Sequence, residues 1–133
     1  MVNIGLVGVG FMGVTHFKAM AEVRGGKVSA IVTRDKKKGR GDWSEVQGNF
    51  GGSGGRQDLS KVKVYASLDE LLEDPKIDVV DICLPTSMHV DSALRALRAG
   101  KHVFLEKPIA LSLRDADRLI VAAERAKRQF MVA

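Results

Sequence analysis

With 133 residues, 45% of them hydrophobic and 28% charged, the chain has the size and balance of one soluble domain with a proper core. Its single cysteine, Cys83, excludes an internal disulfide and a cysteine-based zinc site. The net charge of +5 suits contact with phosphates, but the basic residues are dispersed and aromatics make up only 5%, which argues against a nucleic-acid-binding module. No apolar run approaches the roughly 20 residues that span a bilayer. The N-terminal "MVNIGLVGVG" lacks a basic leader and a cleavage site, so a cytoplasmic protein without a signal peptide is expected. No metal is expected either.

The first predicted strand, "NIGLVG" (residues 3–8), runs into glycines. A helix follows, with Met12, His16, Ala19, Met20 and Val23 on one face, and Gly25-Gly26 end it. "KVSAIVT" (27–33) reads as the second strand. Residues 36–60 are glycine-rich and irregular, with a short helix expected only around Trp43 to Val46. A third strand alternates over 61–66. Ser67 and Glu70 then form a capping box that opens a helix ending before Pro75. "IDVVDICLP" (77–85) suits a strand covered on both faces, although Asp81 sits awkwardly inside it. Val90, Ala93, Leu94 and Leu97 share one face of the next helix, which stops at Gly100. "HVFLE" is the fifth strand, Ser112 and Asp115 cap the last helix, and "FMVA" (130–133) is the sixth strand. Strands alternating with helices predict an α/β fold, a doubly wound parallel six-stranded sheet in the order 3-2-1-4-5-6.

"GVGFMG", Gly8 to Gly13, matches G-x-G-x-x-G in the context that gives the pattern meaning, after a strand and before a helix. Gly8 permits the tight turn, Gly10 lets backbone approach a pyrophosphate, and Gly13 lets the helix pack close to the sheet. The phosphates would sit on the helix N-terminus beside Phe11 and Met12. At the end of the second strand, where an acid usually binds the ribose 2′-hydroxyl, stand Thr33 and Arg34. A hydroxyl residue followed by arginine suits a 2′-phosphate, so NADP is expected in preference to NAD. Asp35 is the competitor.

"GKHVFLEKPIAL", together with "GVGFMG" and "CLPTSMH", resembles the glucose–fructose oxidoreductase/inositol dehydrogenase/MocA family along nearly the whole chain. The resemblance implies an NAD(P)-dependent oxidoreductase acting on sugars, polyols or related cyclic compounds. It places Lys107 beside the nicotinamide, where it binds and polarises the substrate oxygen, and Glu106 beside the nicotinamide ribose. It also lines the cofactor crevice after the fourth strand with Leu84, Pro85, Thr86 and His89. The residues support these roles independently. Both segments fall at carboxyl ends of strands, where open α/β sheets bind ligands. A lysine there can stabilise a developing alkoxide, and Pro108 biases Lys107 away from helical backbone.

Read alone, His89 is a capping or solvent-facing residue. His16 and His102 read as structural and Cys83 as inert packing. Trp43 and Phe50 either cover the adenine or anchor their loop. The resemblance implies a second domain after Ala133 that supplies the acid/base, the substrate pocket and any homo-oligomer contact. The expected function is therefore the cofactor-binding half of an oxidoreductase, inactive in isolation. The alternative is a stand-alone dinucleotide-binding or sensing module without turnover.

Overall fold

The structure is a computed structural model that describes residues 1–49 and 52–133. Six strands are joined by helices in the order β1 (Val2–Val7), α1 (Phe11–Met20), β2 (Gly26–Val32), β3 (Lys63–Tyr65), α2 (Leu68–Glu73), β4 (Val79–Ile82), α3 (His89–Arg98), β5 (His102–Leu105), α4 (Leu113–Ala126) and β6 (Phe130–Val132). All neighbours pair in parallel, in the order β3-β2-β1-β4-β5-β6. This is the doubly wound order expected from the sequence. Between β1 and β4 the winding reverses, which opens a crevice at the carboxyl ends of those two strands.

The alternation of side chains along each strand splits the core into two clusters. Val7, Val80, Ile82, Val103 and Leu105 face α2, α3 and α4, whose Leu71, Leu97 and Leu119 are fully or almost fully buried. Leu6 and Ile31 face the other way, toward Val14 of α1 and toward Trp43. Both predicted caps form. Ser67 Oγ accepts from the Glu70 amide at 3.3 Å, and Ser112 Oγ accepts from the Asp115 amide at 3.1 Å.

Two local expectations are corrected. The docked side of α1 carries Gly13 and Val14, whereas Ala19 and Val23 are exposed. The close approach at Gly13, not the spacing of the larger side chains, decides which face meets the sheet. No helix forms over Trp43 to Val46. That stretch is a tight turn, preceded by one 3₁₀ turn at Lys38–Arg40 and pinned by a bridge between Asp42 and Arg56. Glycines are too frequent there to sustain a helix. The segment is nonetheless packed: Trp43 is fully buried, sits edge-on to Phe17 with ring centres 4.8 Å apart, and donates from Nε1 to the Lys38 carbonyl at 2.9 Å. It occupies the place of a crossover helix. Trp43 is thus a loop anchor with no face left for an adenine, and Phe50 lies outside the described residues.

On the α1 face, β4 and β5 meet α1 through His16, and β6 carries no helix among the described residues. Val79, Phe104 and Met131 line an open groove of about 720 Å³ there. None of the described helices is long and apolar enough to cross a membrane.

Candidate functional site

Because the strands are parallel, the ends of β1, β4 and β5 deliver three loops to one edge of the sheet. The first is the glycine loop. Gly8 has φ +99°, and a Cβ there would stand 2.5 Å from the Cys83 carbonyl oxygen, so only glycine fits between the two strand ends. A Cβ on Gly13 would strike the Gly8 carbonyl and approach the Cys83 Cβ at 3.6 Å. Gly10 differs from both: its φ of −96° suits any residue, and a Cβ there would meet nothing within 4 Å. The space in front of Gly10 is an open cradle at the N-terminus of α1, whose first turn, Phe11 to Val14, carries no acid. A helix N-terminus carries partial positive charge and presents amides to anions. The residues present therefore fit the pyrophosphate of a dinucleotide.

The second loop leaves β4. Leu84 is half-buried against the glycine loop, Pro85 is exposed, and Thr86–Met88 form one 3₁₀ turn leading into α3. His89 stands beneath the crevice and not on its wall. It is fully buried, with Nδ1 2.8 Å from the Pro108 carbonyl and Nε2 2.8 Å from the Leu84 carbonyl. A neutral imidazole has one N–H, so at least one of these contacts is a donated hydrogen bond. Its ring spans the second and third loops.

The third loop begins at Glu106. This residue is 7% exposed, and its Oε2 accepts from the Lys107 amide at 3.0 Å. Its Oε1 lies 3.1 Å from His16 Nε2. The peptide bond between Lys107 and Pro108 is cis. Lys107 is exposed, and its ammonium makes no hydrogen bond or ion pair among the described residues.

His16, read from the sequence as structural, belongs to this site. Its Nδ1 lies 3.0 Å from Asp81 Oδ2, and its ring stacks on Phe104 with centres 5.3 Å apart. The hydrogen bond to Asp81 raises the histidine above its ordinary pKa, against the opposing effect of burial. Asp81, awkward in an apolar strand, is fully buried and has its partner here. Burial pushes the Cys83 thiol well above its usual range, so it is a neutral S–H directed at Asp81 and not a nucleophile.

At the far end of the crevice, Thr33 Oγ1 accepts from the Asp35 amide at 3.1 Å and Arg34 Nε donates to the Ala66 carbonyl at 3.3 Å. The Asp35 carboxylate accepts from the amides of Lys37 at 2.8 Å and Lys38 at 3.1 Å. The Lys38 and Lys37 amides, in that order, hold it below the ordinary aspartate value. Lys38 donates from Nζ to the Val9 carbonyl at 2.8 Å, inside the glycine loop. The run "DKKKGR" gave no indication of which lysine turns inward.

A parallel sheet wound both ways around a glycine loop, with an open cradle at Gly10, defines a dinucleotide-binding Rossmann domain. The chain belongs to the glucose–fructose oxidoreductase/inositol dehydrogenase/MocA family: the family described as "Oxidoreductase family, NAD-binding Rossmann fold" matches residues 2–133. It is 31% identical over 126 residues to a myo-inositol 2-dehydrogenase of Thermotoga maritima, covering 93% of this chain and 33% of the relative. Among solved structures, it resembles an NAD binding oxidoreductase from Klebsiella pneumoniae with a TM-score of 0.79 and 33% identity, over 99% of this chain and 34% of the other. It also resembles the apo scyllo-inositol dehydrogenase from Lactobacillus casei, with a TM-score of 0.80 and 26% identity, over 100% of this chain and 36% of the other. The chain spans about a third of the length of the relatives it matches.

Proposed function

We propose that this chain is the cofactor-binding part of an oxidoreductase that moves a hydride between NAD(P) and a sugar, polyol or related cyclic alcohol. The observation that carries the reading is that the Gly10 cradle, the β4 loop and Lys107, whose ammonium is unpaired among the described residues, all follow carboxyl ends of neighbouring parallel strands. The nicotinamide, when bound, supplies the hydride acceptor or donor. The amides at the start of α1 bind the pyrophosphate, while Leu84, Pro85 and Thr86 wall the crevice. Lys107 offers a compact positive charge to the substrate oxygen and stabilises the charge that grows there. Glu106 fixes the Lys107 backbone through its amide contact. The chain matches only a third of the length of its relatives; with the acid/base and most of the substrate pocket assigned to a second domain by the family resemblance, the 133 residues alone bind cofactor without turnover.

NADP is the preferred cofactor. Thr33 presents no carboxylate at the ribose, Asp35 is committed to the Lys37 and Lys38 amides, and Lys38 brings a cation to the glycine loop. Arg34 keeps its terminal guanidinium nitrogens for a phosphate. Calorimetric titration of the chain with NADP and NAD at moderate salt tests both statements. Saturable binding with NADP tighter is expected. No binding of either dinucleotide refutes the function, and NAD binding as tight as NADP refutes the preference.

A further inference from the structure

We infer that His16 is a positioning residue whose protonated ring ties α1, behind the glycine loop, to the Glu106-Lys107 loop and so sets the geometry of the crevice between them. The inference rests on the dinucleotide reading above for its effect on affinity, but not for the tie itself.

The ring lies between two acids brought by different strands. Nδ1 is 3.0 Å from Asp81 on β4, and Nε2 is 3.1 Å from Glu106 after β5. The three side chains are 12%, 0% and 9% exposed, so water does little to soften the contacts. The other groups facing the ring are the Cys83 thiol at 3.3 Å from Nδ1 and the stacked Phe104. No lysine or arginine among the described residues faces it.

A neutral imidazole has a single N–H and donates to one acid only, while the imidazolium donates to both. Such charge-assisted bonds are roughly twice as strong as neutral ones. Asp81, fully buried, is the acid that cannot turn to water when a donor is lost. The neutral ring therefore keeps its proton on Nδ1 and turns a lone pair toward Glu106 Oε1. The other oxygen of Glu106 holds the Lys107 amide at 3.0 Å, so the disturbance reaches the backbone that carries the Lys107 ammonium. The deprotonated ring thus loosens the crevice wall without touching a ligand.

The test is a pH titration of the isotope-labelled chain by NMR, following the His16 ring and the Lys107 amide, with calorimetry of NADP binding over the same range. His16 is expected to titrate above its unperturbed value of about 6.5, and the Lys107 amide is expected to shift with the same midpoint. NADP affinity should weaken about tenfold as pH rises through that midpoint. In His16→Gln, which keeps a donor but does not titrate, both transitions should vanish. A Lys107 amide that ignores the His16 transition, or that titrates unchanged in the variant, overturns the inference. So does NADP affinity that is flat across it. The wild-type amide data decide the matter even if the variant does not fold. Failure to bind either dinucleotide with the amide coupling intact refutes the functional reading and leaves the tie standing.

Discussion

The Lys38 ammonium donates to the Val9 carbonyl at 2.8 Å, which brings a cation from the far side of a glycine-rich loop onto the nucleotide-binding turn. Any 2′-phosphate bound beside Thr33 and Arg34 shares this neighbourhood. Lys38→Met keeps the side chain's length and removes its charge. It should weaken NADP binding about tenfold, the worth of one charge-assisted hydrogen bond, and leave NAD binding nearly unchanged. Equal losses for the two cofactors would show that Lys38 shapes the loop and does not read the phosphate.

Gly10 and Gly13 separate folding from binding. At Gly10 an added Cβ meets nothing and the backbone already suits alanine. Gly10→Ala should therefore change stability by no more than about 1 kcal/mol while cutting dinucleotide affinity by more than about tenfold, because the methyl group fills the cradle. Gly13→Ala forces a Cβ against the Gly8 carbonyl and should lower both. Denaturant unfolding together with calorimetry checks the pair, and unaltered affinity in Gly10→Ala would remove the pyrophosphate from that position.

His89 predicts a stability effect. In His89→Leu the part-buried Leu84 and Pro108 carbonyls lose the ring that faces them. An unsatisfied buried acceptor costs about 1–3 kcal/mol, so a loss of that order is expected, with an unchanged denaturant slope. A loss under about 0.5 kcal/mol, the usual scale of a surface substitution, would mean that neither contact matters.

His16 makes stability depend on pH in a definite direction. Its proton is held more tightly in the folded chain than in the unfolded one, chiefly by the hydrogen bond to Asp81. The folded state therefore binds more protons between the two values, and stability falls as pH rises there. The stability difference between wild type and His16→Gln should be full below about pH 6.5 and should shrink as pH climbs through the raised folded value. Urea unfolding across that range reads it directly. A difference that grows with pH would reverse the assignment.

In the full-length protein, Lys107→Ala should lower kcat about 100-fold or more with cofactor affinity nearly unchanged, as for removal of one electrostatic stabiliser. Steady-state kinetics with a polyol or sugar measures it. Intact turnover would return Lys107 to a structural role.

The strand order was legible because each strand is punctuated by a capping serine or a glycine stop, as at Ser67, Gly100 and Ser112. The glycine loop was legible for the same local reason. What escaped depends on contacts between distant segments. Asp81 showed as an anomaly in its strand, but its partner His16 lies 65 positions earlier on a helix, and no spacing pairs the two. The burial of Gly13, a residue without a side chain, is what a search for apolar stripes passes over. His89 was recognised by type and not by direction, and Lys38 was not singled out from its basic run, since spacing alone does not say whether a side chain turns under a loop or over it.

Gly8 is seated against the Cys83 carbonyl, and β1 hydrogen-bonds to β2 on one side and β4 on the other. A polypeptide emerging from the ribosome can assemble β1, α1 and β2 early, yet the glycine turn then has only half of its seat. The second half arrives with β4, most of the way along the chain. A nucleotide held in this crevice is thus a ligand only of a sheet in which β4 has already joined β1. By mass action it stabilises all six strands together, by about 2.7 kcal/mol at a hundredfold excess over Kd.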